Sequence, residues 1–376
     1  MNGALHDAMD AAVDDAANDA VDDVVNDAVD DAVIVGAGPT GLTLACDLAL
    51  RGLTPRVLDR REAPHRESRG KTLRPGALEV FERLGVADRI TAVGRSHQVL
   101  RKYFDGAHAA DTPVEGLCLI GQWQVEEALR ERLAELGVRV EFGAEVTGIG
   151  QDADGVSTTL ADGRSLRSGY LAGCDGGRST MRKLLGIPFE GHGGGEQSMV
   201  VGDVRAPGLS REYWHQWFTS DGGAMLLCPI PGTDSFQLQA SPEADAEGRP
   251  LPPSLEGFQR LFDRHARMPG IRLADATWLS TWRANVRMAG RIREGRTFLA
   301  GDAAHVHPIA GGFGMNTGIE DAAALGRALG GETSLEAYEA DRLPAAAHLL
   351  AHTSARMERV VAAVATPGTG VEAGLD

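Results

Sequence analysis

The spacing of apolar and polar residues changes along the chain, and each change predicts an element of secondary structure. Apolar runs at residues 32–35 and within "TPRVLDRR", which ends a strand at Asp59, predict two buried parallel strands. Between these runs, apolar residues fall on one face of a helix: Leu42, Ala45, Leu48 and Ala49. The patterned part of the chain therefore opens with a strand–helix–strand unit.

Further strands and helices are predicted later in the chain. Residues 170–174 and 297–300 read as two more buried strands, and a helix is predicted to begin at about Asn316. Two alternating segments on either side of Asp162 and Gly163 predict a hairpin. Strands that alternate with helices are typical of an α/β fold.

Residues 183–285 have a different pattern. In "SFQLQAS", Phe236 and Leu238 alternate with Gln237 and Gln239, which predicts a strand with one apolar and one polar face. "GAMLLCPI" predicts a second strand, and "SLEGFQRLFDRH" an amphipathic helix whose apolar side packs in a core. We therefore expect a second, sheet-containing domain here.

The first helix is preceded by a glycine motif. Gly36, Gly38 and Gly41 complete GxGxxG, and Asp59 follows 18 residues later. The three glycines permit a tight turn, a close approach of the backbone to a pyrophosphate, and close packing of helix on strand. The acid is placed to accept hydrogen bonds from a ribose hydroxyl. The unit predicts dinucleotide binding, without distinguishing NAD from FAD, and a purely structural turn is the alternative.

Two more strand ends carry polar residues. Asp175 and Arg178 follow the strand at 170–174, and Gly301 and Asp302 follow the strand at 297–300. A glycine-rich loop and the start of a helix come after Asp302. Ligands gather at such strand ends in open α/β sheets. Two polar sites far apart in the sequence suit one long ligand lying between them.

His305 and His307 suggest a metal site, but the pattern around them does not complete one. A zinc site needs three or four converging ligands, and no third ligand stands at suitable local spacing. We therefore predict no bound metal. A structural role in the turn and a direct role near the ligand are the two alternatives for these histidines.

Composition narrows the class of protein. The chain has 376 residues, 43% of them hydrophobic, and contains no apolar run long enough for a membrane span. The four cysteines form no CxxC pair, and there is no secretory leader, so we expect a reduced, cytoplasmic protein. Of the net charge of −16, ten units are aspartates within residues 1–31. Residues 1–30 therefore read as an acidic low-complexity tail, and no basic patch indicates nucleic acid.

Taken together, four motifs resemble a known family. We number three of them: the first is GAGPTG (36–41), the second is GCDGGRST (173–180), and the third is "GDAAHVHP" followed by "GMNTGIEDA" (301–322). SRG, within "ESRGKTLRPGALEVF", lies between the first and the second. In this order and spacing, the chain resembles the FAD-dependent aromatic hydroxylases typified by para-hydroxybenzoate hydroxylase. It is most similar to the actinomycete branch that hydroxylates polyketides, phenols and rifamycins. The resemblance covers about residues 31–355.

The resemblance implies a fold and its boundaries. The expected fold is α/β, with a Rossmann-like FAD-binding domain of the glutathione-reductase type and an inserted β-sheet substrate domain. The FAD-binding domain would take residues 31–93, 115–182 and 286–332. The substrate domain would take residues 94–114 and 183–285, and residues 333–376 would form a helical C-terminal segment. The thioredoxin-like C-terminal domain of many relatives is expected to be absent.

The resemblance also implies which residues bind the cofactor. Asp59 and Arg60 would hold the adenosine ribose, with Val146 packed around the adenine. Arg69 and Gln124 would contact the phosphate and ribityl regions, and Asp302 the ribitol. The remaining positions would lie at the pyrophosphate turn, at a motif shared by FAD and NAD(P)H, and at the flavin ring: Gly36, Gly38, Thr40 and Gly41; Asp175 and Thr180; Gly314, Met315 and Asn316.

The implied reaction is a monooxygenation. NADH or NADPH would reduce FAD, and a flavin C4a-hydroperoxide would hydroxylate a small aromatic or polyketide-type substrate with O₂, as in antibiotic biosynthesis. A non-oxygenating FAD oxidoreductase and an inactive FAD-fold binding protein are the alternatives. The expected assembly is a monomer or homodimer, without membrane or nucleic-acid partners. Substrate contacts are predicted for aromatic and apolar residues, with core packing as the alternative for the aromatic ones: Trp214, Trp217, Phe236, Leu238, Pro308 and Ile309.

The chain departs from the family pattern at three places. Ile309 stands where a proline is usual and Phe313 where a glutamine is usual. The usual arginine before Leu-Glu falls at Gly76, and Arg74 lies two positions earlier as a possible substitute. The departures at Ile309 and Phe313 bear on the substrate rather than on FAD, whereas Arg74 would substitute as a phosphate contact.

Overall fold

A computed structural model describes residues 29–307 and 312–365. The predicted acidic tail therefore lies almost wholly outside the described residues, and so do Pro308 and Ile309. The strands of the described part are, in chain order, β1 (Asp30–Val35), β2 (Pro55–Asp59), β3 (Thr72–Leu73), β4 (Gln98–Phe104), β5 (Ala107–Val114), β6 (Cys118–Leu119), β7 (Val140–Phe142), β8 (Val146–Gln151), β9 (Val156–Leu160), β10 (Ser165–Gly173), β11 (Phe189–Arg205), β12 (Tyr213–Phe218), β13 (Ala224–Pro229), β14 (Ser235–Ala240), β15 (Ala274–Ala289), β16 (Arg293–Glu294), β17 (Thr297–Leu299) and β18 (His305–Val306). The α-helices are α1 (Pro39–Leu50), α2 (Pro75–Leu84), α3 (Ala87–Val93), α4 (Gln122–Glu135), α5 (Thr180–Leu184), α6 (Leu255–Ala266), α7 (Gly314–Leu329) and α8 (Leu335–Ala365).

The first sheet has the strand order β16-β17-β10-β1-β2-β7. Its four central pairings, from β17 to β7, are parallel, and the β8–β9 hairpin extends it through β10. Parallel strands of this kind are buried on both faces, which explains the apolar runs at residues 32–35 of β1 and at Phe298 and Leu299 of β17. The predicted α/β, Rossmann-like fold is confirmed.

The parallel pairing brings the motifs to one edge of this sheet. β1, β2, β10 and β17 all end there, so the residues that follow them become neighbours. The predicted hairpin strand and the predicted buried strand at 170–174 form one continuous strand, β10. Helix α7 begins at Gly314, two residues before the predicted start.

Helix α7 packs closely on α1. A β-carbon on Gly326 of α7 would overlap the carboxylate of Asp47 in α1. The two helices lie over a core that includes Leu44, Phe298 and Ile319, each with no exposed surface. This packing holds the start of α1 beside the start of α7.

The second sheet has the order β18-β15-β11-β14-β13-β12-β4-β5 and is antiparallel except between β12 and β4. Its apolar face is covered by α6, where Phe258 and Phe262 pack against Trp217, Phe236 and Leu238. The opposite face carries polar residues and lies against the loop after β2, because Ser68 donates its backbone N–H to Asp203 of β11 at 2.9 Å.

Three separate parts of the chain contribute strands to this sheet. Its strands lie within residues 98–114, 189–289 and 305–306, so β15 extends past residue 285 and β18 of the last motif pairs with β15. The third motif therefore contacts both sheets. No helix in the described ranges is long and apolar enough to span a membrane.

Candidate functional site

The first glycine motif is in backbone contact with the second motif. Gly36 has φ +107°, and a β-carbon there would lie 2.7 Å from the carbonyl carbon of Cys174. A β-carbon on Gly41 would overlap the Gly36 carbonyl, so both positions require glycine. Gly38 differs, since nothing lies within 4 Å of where its β-carbon would be. The space beside Gly38, immediately before α1, is therefore open.

The start of α1 has no side-chain cap. Gly38 is its N-cap residue, and no acidic residue lies in the first turn. The first backbone N–H groups of a helix have no partner within the helix and carry a partial positive charge. The open face at Gly38 therefore presents donors that suit a pyrophosphate.

Thr40 joins the first motif to the third. A β-carbon on Gly301 would lie 2.6 Å from Thr40 Oγ1, and one on Gly318 would overlap the same oxygen. The Thr40 side chain thus points toward α7, while its backbone lies in the first turn of α1. Its predicted place at the pyrophosphate turn is therefore one of backbone rather than side chain.

Asp59 lies at the end of β2 with its carboxylate fully engaged. Its Oδ2 accepts from the backbone N–H of Ala37 at 2.8 Å, and both oxygens accept from Arg61. Burial alone would raise the pKa of Asp59, but the bonds from Arg61 and Ala37 outweigh it and lower the pKa. Asp59 is therefore an anion that holds the glycine turn.

Arg61 is the arginine that contacts Asp59, whereas Arg60, which was predicted to bind the ribose, is exposed. The chain bends after β2, and Asp59 Oδ1 accepts from the Arg61 backbone N–H at 2.9 Å, as in an Asx-turn. This turn brings Arg61 to the Asp59 carboxylate. The loop before Val146 lies close by, because Gly143 and Ala144 donate to the carbonyls of Arg61 and Asp59. Val146 itself is buried in the core.

The SRG loop meets α4 and α7. Gly70 donates its N–H to Gln122 Oε1 at 3.1 Å, and a β-carbon on Gly70 would lie 3.5 Å from Met315. Arg69 is exposed and pairs with Glu67. Gln122 therefore lies at the meeting point of the SRG loop and the start of α7.

Gln124, the predicted cofactor contact, points elsewhere. Its Oε1 accepts from Gly121 N–H at 2.8 Å, and its Nε2 donates to the Pro231 carbonyl at 2.9 Å. Two residues along a helix turn the side chain by about 200°, so Gln122 and Gln124 face opposite sides. Both hydrogen-bonding atoms of Gln124 are used within the protein, and so are those of Gln122, whose Nε2 donates to Glu126 at 2.9 Å. The contact of Gln124 with the cofactor stays a prediction.

Asp175 caps a helix. Its Oδ2 accepts from the backbone N–H groups of Thr180 and Met181 at 2.6 and 3.1 Å, at the start of α5. Thr180 thus enters the site through its backbone. The nearby Arg182 is buried and donates to the carbonyls of Gly177 and Ala303, which fastens the second motif to the third.

Asp302 lies at the end of β17 with an exposed side chain, between two buried neighbours. A β-carbon on Gly314 would lie 3.9 Å from Asp302 Oδ1, so the carboxylate lies beside the start of α7. Surrounding protein raises the pKa of Asp302, while the positive charges of His305 and Arg69 oppose that rise. An accessible carboxylate in a deep position suits a hydroxyl-bearing ligand.

The start of α7 also lacks a side-chain cap. Gly314, Met315 and Asn316 form its first turn, and no acidic residue lies there. The Asn316 side chain is buried and accepts from Arg74 N–H at 2.7 Å while it donates to the carbonyls of Thr72 and Gly312. Asn316 therefore fixes β3 against the loop before α7 and leaves backbone N–H groups to face the site.

His305 belongs to a buried charged network beneath the Asp302 turn. His305 Nε2 lies 2.6 Å from Asp321 Oδ2, which also accepts from Gly301 N–H at 3.0 Å, and Arg342 donates to Asp321 Oδ1 at 2.7 Å. His305 Nδ1 lies 3.0 Å from His307 Nε2. Among the described residues, no group of three or more His, Cys, Asp or Glu side chains could hold a metal.

The charges of this network follow from burial and contact. Burial alone would lower the pKa of His305, but the Asp321 carboxylate raises it above its ordinary value. The same pairing overcomes burial at Asp321 and lowers its pKa to about 2. Burial and the charge of His305 lower the pKa of His307 to about 3. The imidazolium of His305 and the carboxylate of Asp321 thus support the turn that carries Asp302.

Two departures from the family pattern contact each other. The Arg74 guanidinium lies 3.9 Å from the centre of the Phe313 ring. This is a cation–π distance. The phenylalanine at the usual glutamine position therefore packs on the arginine that lies two positions before the usual one.

Three predicted substrate contacts are core residues. Trp217, Phe236 and Leu238 have at most 1% of their surface exposed and pack with α6, on the face of the second sheet turned away from the motifs. The expectation that the apolar face lines a pocket is therefore wrong for these three residues, and core packing is correct. Trp214 points to the other face, where Lys71 lies over its ring at 4.8 Å.

The residues present fit FAD. An open backbone at Gly38, the two helix starts without side-chain caps and the accessible Asp302 carboxylate lie along one edge of the first sheet. A pyrophosphate is bound by hydrogen-bond donors, and a ribitol by hydrogen-bond acceptors. A flat ring packs against a backbone that carries no side chains at that place. The donors, the acceptor and the bare backbone are supplied at separate points along this edge.

Comparisons with known proteins agree with this geometry. A family model described as an FAD binding domain matches residues 30–353. A flavin-dependent monooxygenase of Mycobacteroides abscessus is 40% identical over 346 residues, which are 85% of this chain and 72% of that protein. A rifampicin monooxygenase of Streptomyces venezuelae is 36% identical over 347 residues, which are 87% of this chain and 71% of that protein.

A solved structure is similar throughout. It is a ternary complex of aklavinone-11 hydroxylase with FAD and aklavinone, with a TM-score of 0.77 and 26% identity. The match covers 92% of this chain and 72% of that one. The shared fold includes both sheets, since so much of the chain is covered.

Proposed function

We propose, from the premise that this chain belongs to the family of the FAD binding domain and is a flavin-dependent monooxygenase, that it hydroxylates a small aromatic or polyketide-type molecule. O₂ would be the oxidant, and NADH or NADPH the electron donor. The observation that carries the proposal is the convergence of Asp302 with the uncapped start of α7. That arrangement suits a ribitol that ends in a flavin ring.

The proposed orientation of FAD follows from the two ends of the site. The loop at Gly143 and Ala144 beside Asp59 would receive the adenosine, and Gly38 the pyrophosphate. Asp302 would accept from the ribitol, and the N–H groups of Met315 and Asn316 would face the ring. FAD, when bound, supplies the electron transfer and oxygen activation that side chains cannot perform.

The residues of the chain would position the cofactor and stabilise its negative charge. The partial positive charge at the start of α7 would stabilise negative charge on an adjacent ligand. Gln122 would hold the SRG loop against that helix start through Gly70. The polar face of the second sheet would cover the site and exclude water.

NAD(P)H is proposed to visit transiently. Within the described residues, the unit β1–α1–β2 carries the glycine motif, and the second sheet is almost wholly antiparallel. A parallel unit of that first kind is the usual dinucleotide site. FAD would occupy it, so the nicotinamide would bind without a domain of its own.

The test is turnover with labelled oxygen. The purified protein would be loaded with FAD and screened for NADPH and NADH oxidation against phenols and aromatic polyketides. Hits would be run under ¹⁸O₂, with ¹⁶O₂ in H₂¹⁸O as the matched control, and products analysed by mass spectrometry. One labelled atom per product from ¹⁸O₂ alone is expected. An oxidised, unlabelled product, with all oxygen recovered as peroxide, would support a non-oxygenating oxidoreductase instead.

A further inference from the structure

Lys71 lies where the cofactor site meets the second sheet. Its neighbour Gly70 approaches Met315, and its other neighbour Thr72 would lie within 2.5 Å of a β-carbon on Gly312. Ser68, three residues earlier, is bonded to Asp203 of β11. The segment that carries Lys71 therefore runs between the start of α7 and the polar face of the second sheet.

The Lys71 side chain points to the sheet rather than to α7. Its Nζ lies 4.8 Å from the centre of the Trp214 ring, and Asp203 and Cys228 are the groups that act on its charge. Nζ is buried and has no hydrogen-bond partner within the described part of the chain. Burial lowers the pKa of Lys71. A buried ammonium without a hydrogen bond is costly, so an unpaired lysine at this place calls for a partner.

Other polar atoms on the same face are also unpaired. Both amide atoms of Gln216, the indole N–H of Trp214 and Oδ1 of Asp203 are buried without a hydrogen bond to the described residues. Trp214 and Gln216 alternate along β12 with His215 and Trp217, which face the opposite way, toward the α6 side. A buried polar atom without a hydrogen bond destabilises the folded protein. Trp214 and Asp203 lie beside Lys71, and Gln216 lies two residues from Trp214 on the same face of β12, so this part of the sheet suits a polar ligand rather than an apolar one.

We propose that Lys71 binds an anionic oxygen of the aromatic substrate, a phenolate or a carboxylate, with hydrogen bonds from Gln216 and Trp214. The inference rests on the proposed function and specifies its substrate class. An ammonium above an indole ring leaves its remaining donors free for an oxyanion. Asp203 would limit the ligand to one negative charge at this place, because a second negative group beside its carboxylate would be repelled.

Lys71 is favoured over the helix start as the anchor of this anion. The first turn of α7 lies on the other side of the segment, next to Gly70 and Thr72, and would serve the flavin ring. Lys71 and Trp214 instead belong to the face of the sheet that would cover the ring. A substrate held there would lie between ring and sheet.

The experiment uses two matched probes, 2-naphthoate and its neutral isostere 2-naphthamide, with the FAD-loaded protein. Their dissociation constants would be measured from changes in flavin absorbance. The wild type is expected to bind naphthoate about tenfold or more tightly, as for a charge-assisted hydrogen bond. Lys71→Met should abolish the preference, and Lys71→Arg should retain part of it. Lys183→Met, at an exposed lysine of α5, is the control and should leave the preference unchanged.

The comparison in the wild type stands even if Lys71→Met fails to fold. Equal affinity for the two probes, or binding of neither, would overturn the inference. A wild-type preference that survives in Lys71→Met would overturn it as well. FAD content and ¹⁸O incorporation are measured separately, so a failed anion preference with intact FAD binding and oxygenation leaves the proposed function standing. Loss of FAD binding in the wild type would instead remove the proposed function.

Discussion

Gly36 and Cys174 touch through their backbones: a β-carbon on Gly36 would lie 2.7 Å from the carbonyl carbon of Cys174. The two residues directly follow the neighbouring parallel strands β1 and β10, although they are far apart in the sequence. Their contact sets the distance between the first and second motifs. It leaves no room for any side chain at position 36.

Gly36→Ala is therefore expected to lose FAD binding and stability together. The φ of +107° adds strain of at least roughly 1–2 kcal/mol to the overlap with β10. Gly137→Ala is the matched control, because Gly137 also has positive φ but an open environment, so only the strain applies. Urea unfolding and FAD titration of both variants would check this. Equal losses in the two would show that the contact with Cys174 does not matter.

Asp302→Ala is expected to weaken FAD binding without unfolding the protein. The carboxylate is exposed in the site, and its loss leaves a ribitol hydroxyl without its acceptor, at a cost of roughly 1.5–3 kcal/mol. The dissociation constant of FAD should rise by about ten- to a hundredfold. Asp341→Ala, at an exposed aspartate of α8, should change nothing. An unaltered dissociation constant in Asp302→Ala would remove Asp302 from the cofactor site.

His305→Gln should cost more stability in acid than in base. The pKa of His305 is raised in the folded protein, so its imidazolium stabilises the fold fully below the ordinary pKa and progressively less as pH rises through the raised value. The difference in unfolding free energy between wild type and variant should therefore be larger at pH 5.5 than at pH 9. Asp321, whose pKa is lowered to about 2, stays ionised over that range.

The matched control for this pH series is His97→Gln, at an exposed histidine. Its unfolding free energy, plotted against pH, should run parallel to that of the wild type. Parallel curves for His305→Gln as well would mean that the His305–Asp321 contact does not depend on the imidazolium charge.

Trp217→Ala should destabilise the protein without altering the choice of ligand. Trp217 has no exposed surface and packs edge-on against Phe262, so truncation leaves a cavity at a cost of about 3–5 kcal/mol. Trp278→Ala, at a half-buried position of β15, should cost less. Denaturant midpoints give the stability, and the naphthoate-to-naphthamide ratio gives the ligand preference. A changed ratio in a folded Trp217→Ala protein would return Trp217 to the binding site.

Local spacing was enough to predict the cofactor fold. The glycines, the apolar runs and the acids at strand ends have fixed spacings within one strand–turn–helix unit, so they are readable without neighbours. Gly36, Gly41 and Asp302 accordingly lie where the spacing places them. The alternation at 235–240 likewise predicted a strand with one apolar and one polar face.

Spacing could not decide which face of that strand meets the ligand. Helix α6 covers the apolar face, so Phe236 and Leu238 became core, and the polar face met the SRG loop. Spacing also could not show that Gln122 meets Gly70 of the SRG loop while Gln124 bonds Pro231, because both partners are distant in sequence. The amino-acid sequence determined the elements and their chemistry, because those depend on neighbours along the chain. Only the tertiary structure determined that Lys71 lies over Trp214, on the face of β12 that also carries Gln216, because two segments distant in sequence must pack before these residues can meet.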